Sequence, residues 1–203
     1  MHAVGQNDPV TGPRPAALLL TGGASRRMGR DKALIDIDGR ALCLRTADLL
    51  AEVADPVVEV GPGYTLLPRA VEAFPLSGPL HAMAAGAGFL EQAGHRGPAL
   101  VVATDLPRLT AGLLELLASW PGSGTVVPLA SGRPQPLCAR YGSSDLAMAA
   151  ALVQAGLRSM MALLERIEVT WLDPGQWLDA AGRPDAMVDV DTPEDLADLA
   201  DEP

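Results

Sequence analysis

Lysine is almost absent from this chain of 203 residues: of its 15 basic side chains, only Lys32 is a lysine. Cysteine is nearly as scarce. Cys43 and Cys138 lie far apart and form no C-x-x-C, which argues against a disulfide framework or a zinc knuckle and predicts a reducing compartment, the cytoplasm. Aromatic residues make up 3% of the chain, and Trp120, Trp171 and Trp177 are too dispersed to build a base-stacking platform. The three histidines, His2, His81 and His95, are scattered, so neither a histidine metal site nor a catalytic triad is expected. No apolar run approaches the roughly 20 residues that a membrane-spanning helix needs, so no membrane partner is expected. The polar, Gly- and Pro-containing stretch Met1–Pro15 lacks a basic n-region and an apolar h-region. It predicts a disordered leader rather than a signal peptide.

Positive charge is also in deficit. The net charge of −10 makes free nucleic acid an unsuitable partner unless a local basic patch outweighs the overall field. Charge is unevenly spread: Asp189 to Glu202 contains acids and no base, whereas Arg26, Arg27, Arg30 and Lys32 crowd together.

What the chain does have is 48% hydrophobic residues, enough for a core of its own, and the length of one α/β domain, expected over residues 16–203. Ala16–Leu20 is a continuous apolar run of the kind found in strands buried on both faces. A Gly-containing loop follows, then a short run at Ala33–Ile37 and an Asp38-Gly39 turn. The apolar spacing predicts a helix over Ala41–Val53, a strand at Pro56–Val60 and a helix opening at Gly78-Pro79. A strand is expected at Ala99–Ala103, then a helix over Thr110–Trp120 with Thr110 as N-cap. Strands Thr125–Leu129 and Pro136–Tyr141 flank a Ser131-Gly132 turn. Beyond them come a helix Ser143–Ala155, a strand Ile167–Leu172, and a last helix Pro193–Ala200 capped by Thr192. This alternation predicts a mostly parallel sheet covered on both faces, with ligands bound at the carboxyl ends of its strands.

The first such end runs into Leu20-Thr21-Gly22-Gly23-Ala24-Ser25-Arg26-Arg27-Met28-Gly29-Arg30-Asp31-Lys32. Adjacent glycines let backbone N–H groups approach an anion, arginines offer paired donors, and the single ammonium is a compact point charge. The letters match neither the dinucleotide fingerprint nor the P-loop. Asp105 ends the apolar run Ala99–Ala103, so its carboxylate emerges at a strand end. There it suits a Mg²⁺ ion facing a polyphosphate, or serves as a turn or cap residue before Leu106-Pro107.

The run Leu20–Lys32 resembles the L-x-G-G-x-x-x-R-M-G-x-D-K motif of the molybdenum cofactor guanylyltransferases, within the wider nucleotidyltransferases. Weaker matches follow in order: Gly78-Pro79-Leu80, Thr104-Asp105-Leu106-Pro107, Gln135-Pro136-Leu137, Gln154-Ala155-Gly156 and Asp189 to Leu196. The resemblance implies a three-layer, Rossmann-like nucleotidyltransferase fold. It also implies an enzyme that joins GMP from GTP to the phosphate of a phosphorylated molybdopterin, releasing pyrophosphate, with Mg²⁺ as cofactor. Molybdoenzymes or their chaperones would then receive the product. On this reading Leu20, Thr21, Gly22, Gly23, Ser25, Arg26, Arg27, Lys32, Gly61, Glu72 and Asp105 bind the nucleotide, with Arg26, Lys32 and Asp105 catalytic. Asp105 and Asp191 would hold the metal, and Arg133, Arg158 and Asp189 would meet the second substrate. Two positions depart from the family pattern: Glu72 stands where Asp is usual, and Gly61 where some relatives carry an amide side chain. A cytidylyltransferase on the same cofactor, a transferase acting on another phosphorylated small molecule, and a non-catalytic nucleotide-binding partner of a molybdoenzyme remain alternatives. Gly22-Gly23 favours guanine by resemblance, since the cytidine relatives tend towards Ala-Gly at this turn.

Overall fold

The computed structural model describes residues 14–22, 31–72, 77–190, 192 and 195. Gly23, Ser25, Arg26, Arg27 and Asp191, most of the expected leader and the expected last helix lie outside the described residues.

The chain runs through β1 (Ala16–Leu20), a 3₁₀ turn (Lys32–Leu34), β2 (Asp36–Ile37), β3 (Arg40–Ala41) and α1 (Leu42–Val53). It continues with β4 (Val57–Val60), β5 (Arg69–Ala70), α2 (Pro79–Gln92), β6 (Ala99–Ala103) and α3 (Ala111–Ser119). Next are β7 (Thr125–Ala130), β8 (Arg133–Pro134), β9 (Cys138–Tyr141) and α4 (Ser143–Gln154). The described elements end with α5 (Met160–Leu164), β10 (Val169–Leu172) and α6 (Pro174–Ala181).

An eight-stranded sheet follows the order β10-β7-β9-β6-β1-β4-β5, with β8 paired to β7, and the short hairpin β2-β3 stands apart. β1 lies parallel to both β4 and β6, whereas β9 is antiparallel to β6 and β7. The sheet is therefore mostly parallel, as expected, with β9 and the short β8 reversed.

Sequence periodicity explains the layering. In β1 the side chains of Ala16, Leu18 and Leu20 face one core, shared with Leu80, Met83 and Leu90 of α2 and Leu146 and Leu152 of α4. Ala17 and Leu19 face the other, with Leu50 of α1, Leu113 and Leu117 of α3, and Trp177 of α6. A strand buried on both faces needs apolar residues at every position, and β1 and β6 supply them. α2 sits close against this sheet because Gly86 carries no side chain; a Cβ there would lie 2.7 Å from the methyls of Leu18.

The expected turns are present. Asp38 (φ 55°) with Gly39 (φ 80°), and Ser131 (φ 50°) with Gly132 (φ 72°), form two-residue hairpin loops with both residues left-handed, the twist that antiparallel strands favour. The Thr110 hydroxyl accepts from the Leu113 N–H, capping α3 as expected. Thr192 and Asp195 exchange reciprocal side chain to backbone bonds, the pattern of a helix start.

Three differences from the expected elements are local. The run Ala33–Ile37 divides into the 3₁₀ turn and β2, because the Asp31 carboxylate accepts from the Ala33 N–H and starts a turn before the strand can begin. The strand expected from Ile167 starts at Val169. Helix α6 was not foreseen, although Asp173-Pro174 followed by Gln176 is a helix start: the Gln176 side chain accepts from the Asp173 N–H at 2.9 Å.

Candidate active site

The carboxyl ends of β1, β5 and β6 open onto one cleft of about 350 Å³. Its described lining includes Leu20, Thr21 and Gly22 after β1, Lys32 on the 3₁₀ turn, Glu72 after β5, and Thr104 and Asp105 after β6. Gly78 and Pro79 at the start of α2 and Leu137 before β9 complete the walls. Six of the residues expected to bind nucleotide thus meet at one place, drawn from four separate stretches of chain.

Packing sets the shape of this floor. Gly61, which ends β4 at φ 153°, lies so close behind β1 that a Cβ would fall 2.2 Å from Thr21 Oγ1 and 2.8 Å from the Gly22 nitrogen. No other residue fits there. Gly61 therefore acts as the surface against which the β1 end is pressed, which accounts for the absent amide side chain. A Cβ on Gly22 would in turn sit 3.3 Å from Glu72 Oε1, so that carboxylate reaches the strand end. Burial pushes the Glu72 carboxyl above its ordinary value.

Asp105 is half-buried, and its carbonyl accepts from the Val190 N–H at 3.0 Å. That bond ties the late acidic segment to the end of β6. Asp185 anchors the same segment: it pairs with Arg108 at 2.8 Å and with Arg183 at 2.5 Å, and Ala186, Met187 and Val190 are buried in the core. The hydrogen bond from Arg183 holds the Asp185 carboxyl below its usual range.

The remaining expected residues that the structure describes lie outside this lining. Asp189 is exposed beside Val190. Arg158 is exposed, with its backbone carbonyl packed against Gly78 at the cleft edge, where a Cβ on the glycine would lie 3.1 Å away. Arg133 is exposed on β8, beyond the hairpin turn.

A divalent cation suits the donor set. Among the described residues no group of three or more His, Cys, Asp or Glu side chains could enclose a metal. Mg²⁺ in nucleotide enzymes uses one or two carboxylates, with phosphates and water filling its shell. Asp105, a hard-oxygen carboxylate lining the cleft, is a donor of that kind.

Glu59 and Tyr64 were not singled out from sequence. The signal for Glu59 is an acid within the otherwise apolar strand Val57-Val58-Glu59-Val60, all four residues of which are buried. Such a residue must be held by donors.

A sheet whose parallel strand ends present a glycine and a carboxylate to one cleft, with a lysine on an adjoining turn, defines an α/β nucleotide-binding protein. The chain belongs to the MobA-like NTP transferase domain family, whose family model matches residues 17–169. It is 32% identical over 197 residues to a probable molybdenum cofactor guanylyltransferase of Chloroflexus aggregans, covering 89% of this chain and 91% of that one. A protein of the same description from Opitutus terrae is 39% identical over 153 residues, covering 71% and 75%. Among solved structures, molybdopterin-guanine dinucleotide biosynthesis protein A of Archaeoglobus fulgidus shares the fold, with a TM-score of 0.75 at 20% identity over 90% of this chain and 95% of that one. The 2-C-methyl-D-erythritol 4-phosphate cytidylyltransferase of Thermus thermophilus is similar at a TM-score of 0.60 and 20% identity, covering 90% and 96%. No helix among the described residues is long and apolar enough to cross a membrane.

Proposed function

We propose that this enzyme transfers GMP from GTP to the terminal phosphate of a phosphorylated molybdopterin, giving the guanine dinucleotide cofactor and pyrophosphate. The observation that carries this reading is the convergence of Thr21, Gly22, Lys32, Glu72 and Asp105 on one strand-end cleft. The relatives described as guanylyltransferases, matched over most of their length, support the base and the acceptor.

An acceptor phosphate oxygen attacks the α-phosphorus of GTP. A new P–O bond forms as the bond to the bridging oxygen of the β-phosphate breaks, and the electron pair leaves with pyrophosphate. The attacking oxygen is already an anion, so no strong general base is required, and alignment and charge neutralisation supply the acceleration. Backbone N–H groups from Gly22 onward, with Arg26, Arg27 and Lys32, hold the phosphates. Asp105 would hold Mg²⁺, with Asp191 as second ligand; when bound, the ion would supply charge neutralisation for the leaving pyrophosphate. Glu72 presents two acceptor oxygens to the adjacent N1–H and N2–H donors of guanine, a pairing that cytosine and adenine cannot offer. Arg133, Arg158 and Asp189 face the acceptor. The buried thiols of Cys43 and Cys138 suit a cytoplasmic enzyme, and molybdoenzymes or their chaperones receive the product.

The test is pyrophosphate release with GTP, CTP or ATP in turn, with and without the phosphorylated pterin. Release with GTP that depends on the pterin is the expected result. Release with CTP alone would replace guanine with cytosine, and none with any pair would remove the reaction.

A further inference from the structure

Glu59 lies within a buried strand with no exposed surface, and among the described residues its carboxylate accepts five hydrogen bonds. Oε1 accepts from the Thr21 hydroxyl at 2.7 Å, the Gly63 N–H at 2.9 Å and the Tyr64 N–H at 2.8 Å. Oε2 accepts from the Thr65 N–H at 2.8 Å and the Thr65 hydroxyl at 2.7 Å. Burial pushes this carboxyl up, but the bonds from Thr21, Thr65 and Tyr64 outweigh it and leave it below its ordinary value. Glu59 is an anion wrapped by a loop.

It does not line the cleft, yet both of its connections lead there. One is direct, through Thr21 at the end of β1. The other passes along the loop: the Tyr64 hydroxyl donates to Asp31 Oδ2 at 2.5 Å, and Asp31 Oδ1 accepts from the Ala33 N–H at 3.1 Å, starting the 3₁₀ turn that carries Lys32. Two separate walls of the cleft are thereby referred to one buried charge.

Stability alone is a poor reason for such a group, since an apolar side chain at a buried strand position avoids the desolvation cost of an anion. Nor does a purely local role account for the Tyr64–Asp31 bond, which joins the wrapped loop to a different segment.

We propose that Glu59 is a positioning residue for nucleotide binding: it sets the Thr21–Gly22 strand end and, through the 63–65 loop and the Tyr64–Asp31 bond, the turn bearing Lys32. This rests on reading the cleft as the nucleotide site. The loop and the turn are arranged before the phosphates arrive, so less ordering is needed on binding.

The experiment measures affinity by calorimetry for GTP, CTP and ATP with Mg²⁺, using wild type, Glu59→Gln, Tyr64→Phe and the double variant. Tyr64→Phe removes one hydroxyl and leaves the donors around Glu59 in place, so it should stay folded, with a melting temperature lower by no more than about 2–4 °C. It should nevertheless weaken the nucleotide that wild type binds best by about 3- to 10-fold, the range for losing one hydrogen bond. Glu59→Gln replaces one acceptor oxygen with a donor facing donors, and should weaken that nucleotide by at least about tenfold. The double variant should bind about as well as Glu59→Gln alone, because both changes act through one loop. Wild-type affinity in Tyr64→Phe, or additive losses in the double variant, would overturn the proposal. If Glu59→Gln does not fold, Tyr64→Phe decides alone. Absence of binding by wild type to all three nucleotides would refute both this proposal and the nucleotide reading. Binding without pyrophosphate release would remove the reaction but leave the positioning role to be judged on the variants.

Discussion

The Val190 N–H donates to the carbonyl of Asp105 at 3.0 Å, joining the late acidic segment to the end of the central strand β6. The bond is backbone to backbone, so it fixes where the neighbouring side chains begin whatever their identity. A carboxylate expected to hold a metal is thereby set beside a second acidic stretch that is remote in sequence.

Asp105→Asn keeps the shape of the side chain and removes its charge. If the carboxylate anchors Mg²⁺, turnover should fall by about 10²–10³-fold, the loss typical of one strong electrostatic contact to the transition state. Half-maximal rate should also need more Mg²⁺. Initial rates measured against Mg²⁺ concentration check this, and superimposable curves would confine Asp105 to capping.

Asp185→Asn addresses the anchor rather than the ligand. Arg108 and Arg183 both lose a charged acceptor, and unfolding free energy in denaturant should drop by about 1–2 kcal/mol. The Asp185 carboxyl is held below its ordinary value, so its contribution is present above the unfolded-state value of about 3.8 and is lost as pH falls through the folded-state value. The gap between wild type and variant should therefore narrow in acid. The same gap at every pH would exclude the charge as its cause.

Lys32→Ala should raise the KM for nucleotide and lower turnover, and Lys32→Arg should restore only part of the loss, because a planar guanidinium does not occupy the space of a compact ammonium. Steady-state kinetics of the two variants distinguish the cases. Full activity with arginine would reduce the role of the single lysine to net charge.

Glu72→Gln should weaken GTP by at least about tenfold while changing CTP little, since one of two acceptors for the guanine edge becomes a donor. Stability should move the other way. Burial raises the Glu72 carboxyl above its unfolded value of about 4.5, so its favourable contribution is complete below that pH and disappears as pH rises through the folded-state value. The variant should thus melt at or above the wild-type temperature at neutral pH, with the difference shrinking towards pH 4.5. Calorimetry and thermal melts read the two effects separately.

Periodicity made most of the framework legible. Continuous apolar runs located β1 and β6 to the residue, and Gly78-Pro79 and Thr110 marked the starts of α2 and α3. The strand ends of β1 and β6 carried Gly22 and Asp105, and those residues do face one cleft. Local pattern could not reveal contacts between remote segments. Nothing near Gly61 in sequence says that Thr21 lies against it, and nothing near Tyr64 announces Asp31. Glu59 stood in plain view as an acid in an apolar strand, but its five donors come from β1 and from a loop without regular structure. Short elements were lost for a related reason: β5, at two residues, is too brief to show a period, and it exists because β4 offers it an open edge.

The reversal of β9 divides the molecule's freedom to change. Because β9 runs against β6, the segment entering it at Leu137 meets the cleft, whereas the opposite wall is built from segments leaving β1, β5 and β6. The β7–β8 turn and the approach to Leu137 can be lengthened or shortened without sliding the register of the parallel strands. Change in that hairpin is thus separable from change at the strand ends that line the cleft.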